Sequence, residues 1–121
     1  MFSVGTDIIE IERIRRSIKN EKFFRYVFGE EEYAMLEDKN FSERSIAANF
    51  CAKEAFFKAM GTGIRGYGLK NVQILRDELG KPYFKFSGKV LEEAQKKGYK
   101  FSVSLSHSRE YALATVLCYT E

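Results

Sequence analysis

Phe50-Cys51-Ala52-Lys53-Glu54-Ala55-Phe56-Phe57-Lys58 reads as the later part of the longest helix in the chain. At 3.6 residues per turn Glu54 and Lys58, at i and i+4, leave the same helical face, and Cys51 and Ala47 line that face one and two turns earlier. A carboxylate and an ammonium thus share a stripe whose other members are small. Such a pair on a solvated helix supports that helix by about 0.2–0.5 kcal/mol and need do nothing else. Ile46, Phe50 and Phe57 face a core, and Gly61-Thr62-Gly63 ends the helix, because glycine adopts the positive φ that helix ends need. With period-two runs on either side, the chain reads as α/β (α+β), an antiparallel sheet packed against one long helix.

Working back from this helix, residues 2–6 read as a short buried strand closing on Gly5-Thr6-Asp7. Ile8, Ile11, Ile14 and Ile18 then recur at helical spacing. Asp7 is either the N-cap of that helix, accepting a backbone hydrogen bond, or a carboxylate at the carboxyl end of a strand, where open α/β folds put their chemistry. Away from the isoleucines the helix is basic, with Arg13 and Arg16 at i and i+3, Arg15, Lys19 and Lys22 beside them and Arg25 extending the patch. A patch of one sign steers an acidic partner and raises its on-rate. Short helices follow over residues 21–28 and 30–37, and Ser42 or Asn40 is placed to cap the long helix.

Beyond it, Gly61, Gly63, Gly66 and Gly68 mark a loop whose backbone can approach a ligand closely. No Gly-Lys-Ser/Thr closes it, so it is not a Walker A loop. The period then changes to two: Val72, Ile74 and Arg76 form one strand, residues 78–82 turn, and Tyr83, Phe84 and Phe86 return. Residues 87–97 are helical, capped by Ser87 and ended at Gly98. Phe101, Val103 and Leu105 alternate with serines up to Ser106-His107-Ser108-Arg109-Glu110, after which residues 111–119 run back as an apolar strand. The single histidine sits at that hairpin tip, between two hydroxyls and beside an arginine, all donors suited to phosphate oxygens.

The chain has 121 residues, 45% hydrophobic and 15% aromatic, with eleven phenylalanines. That is ample apolar volume for one domain over residues 1–121 with no disulfide or structural metal. Cys51 and Cys118 lack metal-ligand or redox spacing and read as buried free thiols. No leader pattern opens the sequence and no run approaches the ~20 apolar residues of a membrane span, so a soluble, cytoplasmic protein with no membrane association is expected. The net charge of +3 is small, and the basic residues are not interleaved with aromatics as a nucleic-acid stacking platform requires.

Taken together, Gly5-Thr6-Asp7, the stretch from Phe50 to Lys58, Gly61-Thr62-Gly63, Gly80-Lys81-Pro82 and Ser106-His107-Ser108-Arg109-Glu110-Tyr111 resemble the short bacterial 4′-phosphopantetheinyl transferases, in order and along the whole chain. The resemblance implies that family's fold and a Mg²⁺-dependent reaction. Phosphopantetheine passes from coenzyme A to a serine of apo acyl carrier protein, 3′,5′-ADP is released, and the process served is fatty acid biosynthesis. It implies Asp7 and Glu54 as metal ligands and Asp7, Glu54 and Lys58 as the catalytic set. It further implies Ser106, His107 and Ser108 near the phosphates of coenzyme A, Lys81 and Pro82 by the adenine, and Gly61 and Gly63 bordering the same cleft. Carrier proteins of this kind are acidic, which makes Arg13, Arg16 and Arg25 the docking candidates, and the short class is trimeric with active sites at subunit boundaries. Two departures stand out: Ile9 occupies the place of a third acid found in larger relatives, and Asn49 replaces an arginine common before the motif aromatic. The phosphate contact of that arginine then falls to Arg44 or Lys53. Two other functions stand beside the transferase: a Mg²⁺-dependent hydrolase of nucleotide diphosphates, which would use the same carboxylates and lysine without the basic helix, and a non-catalytic adaptor that binds acidic proteins through the first helix.

Overall fold

In the computed structural model, which describes residues 1–64 and 67–121, a three-stranded antiparallel sheet runs in the order β1-β5-β4. β1 (Phe2–Glu10) pairs along its length with β5 (Tyr111–Tyr119), from Phe2 opposite Tyr119 to Glu10 opposite Tyr111. β4 (Lys100–His107) pairs with the other side of β5. A separate hairpin joins β2 (Val72–Arg76) to β3 (Pro82–Phe86). Among the described residues, five α-helices and a short 3-10 helix at Leu69–Asn71 complete the fold: α1 (Ile11–Ser17), α2 (Glu21–Val27), α3 (Glu30–Asp38), α4 (Glu43–Met60) and α5 (Gly88–Lys97).

The strand expected over residues 2–6 runs on to Glu10, and α1 starts only at Ile11. Asp7 is therefore a mid-strand residue opposite Ala114, not a helix cap. The β-branched pair Ile8-Ile9 continues the strand's alternation, Ile8 exposed and Ile9 buried, and that period of two overrides the coincidental three-and-four spacing of the isoleucines.

α4 is rich in alanine and ends where Gly61 turns left-handed at φ +75, its N–H reaching the carbonyls of Phe57 and Lys58. Ser42 is its N-cap by position but makes no side-chain cap bond, and Asn40 lies a turn away at φ +56. Its small residues Ala47, Cys51, Ala55 and Ala59 are buried against the sheet, and both cysteines are buried free thiols. The approach is tight at one point: a Cβ on Gly5 would stand 2.1 Å from Ala55 O and 2.5 Å from Ala59 N. Ser3 Oγ donates to Ala59 O at 2.6 Å just beside it. On the far side of α4, Phe56 is fully buried among Phe57, Phe84, Phe86 and Phe101 with ring centroids 4.9–5.3 Å apart, which fastens the hairpin to the helix.

The sheet has a second face, and no part of the described chain covers it. Phe2, Val4 and Ile8 of β1 are 79%, 64% and 61% exposed there, in register with Tyr119, Leu117 and Leu113 of β5. Among the described residues no helix is long and apolar enough to cross a membrane.

Candidate active site

Side chains alternate along β1, so Asp7 shares the helix-facing side with Gly5 and Ile9. Its side chain is only 19% exposed. Because Gly5 lets α4 settle onto the strand, Lys58 reaches it: Nζ donates to Asp7 Oδ1 at 3.2 Å and to Thr6 O at 3.0 Å. Glu54, one turn back on the same stripe, has its pKa raised by burial and by the charge of Asp7, with Lys58 and Arg13 pulling it the other way. Cys51, a turn earlier, donates Sγ to Ala112 O at 3.4 Å, and burial with Asp7 close by pushes its thiol up to about 12. The structure thus brings Asp7, Glu54 and Lys58 into one cluster, with an inert thiol as its floor.

A half-buried carboxylate with a second one close by forms a donor set whose charge a divalent cation would offset. Among the described residues no group of three or more His, Cys, Asp or Glu is arranged for a metal. One or two carboxylates with the remaining positions left to phosphate oxygens and water is the usual Mg²⁺ pattern, and Asp7 with Glu54 fits it.

A basic cavity of about 460 Å³ opens elsewhere, lined by Arg44, Arg76, Lys81, Pro82, Leu105 and His107 among others. Lys81 enters it from the β2–β3 turn, which Asp77 organises by accepting the N–H groups of Leu79 and Lys81 on Oδ1, both at 2.9 Å, while Gly80 takes φ +85. His107 enters from the end of β4. The expectation that Ser106 and Ser108 accompany it does not hold within the chain. Ser106 lies on the other face of β4, in register with Leu113, because neighbours in a strand point opposite ways. Ser108 accepts Tyr111 N on Oγ at 3.2 Å and serves the turn.

Gly61 and Gly63 do not border this cavity either. They follow the last turn of α4, whereas Arg44 and Ser45 line the cavity from its first. Of that glycine-rich loop, Arg65 and Gly66 lie outside the described residues. The carboxylate cluster and the cavity are also apart: Asp7 is on β1 and His107 on β4, the two edges of the sheet, with β5 between them.

Lys53 corrects the expectation of a phosphate contact. Its side chain is 0% exposed, as is that of Glu32, and Nζ donates to Glu32 Oε1 at 2.7 Å, Val72 O at 2.6 Å and Leu69 O at 3.0 Å. Those bonds use all three ammonium hydrogens. Burial lowers the Lys53 pKa and raises that of Glu32, and each charge draws the other part of the way back. Glu32 Oε2 also accepts Asn49 Nδ2 at 2.9 Å and Ile74 N at 3.2 Å. Sequence reading missed this network, since its partners sit far apart in the chain and a lysine is ordinarily exposed.

Arg13 and Arg16 line a concavity of about 730 Å³ with Lys22, Phe23, Tyr26 and Val27, a basic rim around an apolar floor. Arg25 points elsewhere, into a neighbouring hollow with Phe24, Tyr33 and Lys70. Arg15 pairs with Glu12 and, at 2.7 Å, with Glu43.

Comparison with known proteins gives the site a context. Residues 3–116 match the model of the 4′-phosphopantetheinyl transferase superfamily. A holo-[acyl-carrier-protein] synthase of Clostridium beijerinckii is 46% identical over 115 residues, 94% of each chain. The crystal structure of a holo-[acyl-carrier-protein] synthase from Neisseria meningitidis superposes with a TM-score of 0.91 at 34% identity, covering 98% of both chains. A Bacillus anthracis holo-(acyl-carrier-protein) synthase, solved in complex with CoA (3′,5′-ADP), superposes at 0.82 and 30% identity over 98% of this chain and 96% of that one.

Proposed function

The chain belongs to the 4′-phosphopantetheinyl transferase superfamily and, with holo-[acyl-carrier-protein] synthases as relatives, is a phosphopantetheinyl transferase; from that premise we propose that it moves 4′-phosphopantetheine from coenzyme A to a serine of apo acyl carrier protein in a Mg²⁺-dependent reaction. The serine oxygen attacks the β-phosphorus, the bond from that phosphorus to the bridging oxygen breaks, and 3′,5′-ADP leaves. One observation carries the reading: the cluster of Asp7, Glu54 and Lys58 held together by the close approach at Gly5.

Each member has a role set by its surroundings. Asp7 and Glu54 would hold the Mg²⁺, which supplies neutralisation of charge on the pyrophosphate. Lys58, whose side chain is 56% exposed although Nζ is bonded to Asp7, meets with its ammonium the charge that builds on the leaving phosphate. The serine proton passes to a carboxylate of the cluster or to water held beside it. Lys81, Pro82 and His107 take the nucleotide end of coenzyme A in the basic cavity. Arg13 and Arg16 receive the acidic carrier on their concavity, so binding weakens as salt rises.

The carboxylates and the cavity occupy opposite edges of one sheet, and the outer face of the sheet carries exposed apolar residues on β1 and β5 that no described part of the chain covers. Both facts favour a homotrimer in which the cavity of one protomer faces the carboxylates of the next. The process served is fatty acid biosynthesis in the cytoplasm, within a single domain spanning residues 1–121.

Incubating the protein with coenzyme A, Mg²⁺ and an apo acyl carrier protein tests this reading. The carrier gains the mass of a phosphopantetheine, and chelation of the metal prevents the gain. Hydrolysis of coenzyme A with an unmodified carrier favours the hydrolase instead, and binding of the carrier without any chemistry favours the adaptor.

A further inference from the structure

Asn49 is fully buried, and its amide orientation is fixed by its partners. Nδ2 gives one hydrogen to Glu32 Oε2 at 2.9 Å and the other to Ile74 O at 3.0 Å. Oδ1 must then be the end that accepts, and it takes Arg76 Nη2 at 2.8 Å. Glu32 is itself clamped by Lys53, Gly29 N and Ile74 N. The guanidinium of Arg76 is thereby hung from a buried polar network in which Glu32, Asn49 and Lys53 are all hydrogen-bonded.

A guanidinium has five N–H donors. Among the described residues, Arg76 makes besides the bond to Asn49 only a 3.3 Å bond from Nη1 to Leu75 O, and it enters no ion pair. It is half-buried, and desolvation lowers its pKa against the pull of Glu32. Partly desolvated positive charge without a contacting carboxylate is unfavourable until an anion meets it. Arg76 lines the basic cavity with Arg44, Lys81 and His107, and no Asp or Glu lies in its wall.

We infer that Arg76, positioned by Asn49, is a further substrate-binding residue whose free donors grip the phosphate monoester on the ribose of coenzyme A. The inference rests on the transferase reading. That monoester carries close to two negative charges near neutral pH, and the planar guanidinium fork matches two of its oxygens. Asn49 on the helix is the support, and β2 supplies the guanidinium. A hydroxyl in place of the phosphate leaves the cations unanswered, so the cavity separates coenzyme A from 3′-dephospho-coenzyme A.

The test is kcat/KM for both substrates with apo carrier protein, in the wild type, Arg76→Gln, Arg76→Lys, Asn49→Ala and the double variant. The wild type prefers coenzyme A by about tenfold or more, the worth of one charge-assisted contact. Arg76→Gln loses most of that preference through KM rather than kcat. Arg76→Lys keeps the charge without the fork and loses about threefold. Asn49→Ala lowers the same ratio, and adding it to Arg76→Gln lowers the ratio no further, as expected of a residue that acts only through Arg76. No preference in the wild type, an equal loss for both substrates in Arg76→Gln, or an unchanged preference in Arg76→Lys overturns the inference while leaving the transferase intact. A wild type that never modifies the carrier overturns the transferase reading and this inference with it.

Discussion

Glu54 is held where a carboxylate is uncomfortable, half-buried on α4 and close enough to Asp7 to be repelled. A carboxyl whose pKa is raised on folding binds its proton more tightly folded than unfolded. The resulting stability is complete at pH below the unfolded value and is lost as pH rises through the folded one. At pH 7 the ionised Glu54 is therefore a cost. Glu54→Gln abolishes transfer, by about 10²–10³-fold or more, yet melts no lower than the wild type at pH 7, and the difference in melting temperature shrinks as the pH is lowered toward 4. Parallel assays of carrier mass and thermal unfolding read both effects. Residue type and spacing alone left Glu54 and Lys58 as an ordinary helix pair and Asp7 as a candidate helix cap; only the motif resemblance along the whole chain put the three together, and folding brings them into one cluster. Lys53 and Arg76 were not legible in the sequence, since what distinguishes them is a partner, Glu32 for one and Asn49 for the other, brought near by folding alone.

Helix α4 and strand β1 form the frame that aligns those groups, and Gly5 sets their spacing. Gly5→Ala drives a methyl into the α4 backbone, where Ala55 O would stand 2.1 Å away. The helix must lift, at a cost of about 1–3 kcal/mol or more, and because the shift separates Lys58 from Asp7, activity falls more than stability alone accounts for. Urea unfolding alongside the transfer assay separates the two losses. Lys53→Met leaves Glu32 buried and unpaired and releases the carbonyls of Leu69 and Val72. That variant is about 3–5 kcal/mol less stable, measured by denaturant midpoint. Most elements could be read directly: the α4 end at Gly61, the β2–β3 hairpin and β5 are all where periodicity put them. The start of α1 could not, because isoleucines at 8, 9 and 11 satisfy strand and helix periods together and only pairing with β5 decides between them. Ser106 was misplaced beside His107 by treating as a tip what is still a strand, in which adjacent side chains part company.

Phe2, Val4, Ile8 and Leu113 share a sheet face that no described part of the chain covers, and adjoining exposed apolar residues of this kind mark an interaction surface. With that face as the subunit contact of the proposed trimer, Ile8→Glu and Leu113→Glu give monomers by light scattering, and transfer is lost although the carboxylate cluster is untouched. Full activity in a monomeric variant would show that one protomer suffices. Strand order is the property least visible in the sequence: nothing local says that β5 inserts between β1 and β4, and that insertion is what moves the His107 cavity away from Asp7. The most direct test of the whole account is calorimetric titration of Mg²⁺, with coenzyme A present, into the wild type, Asp7→Asn and Glu54→Gln. The two acids acting as ligands predict saturable binding by the wild type and loss of it in both variants; binding of undiminished affinity in either variant would contradict the account.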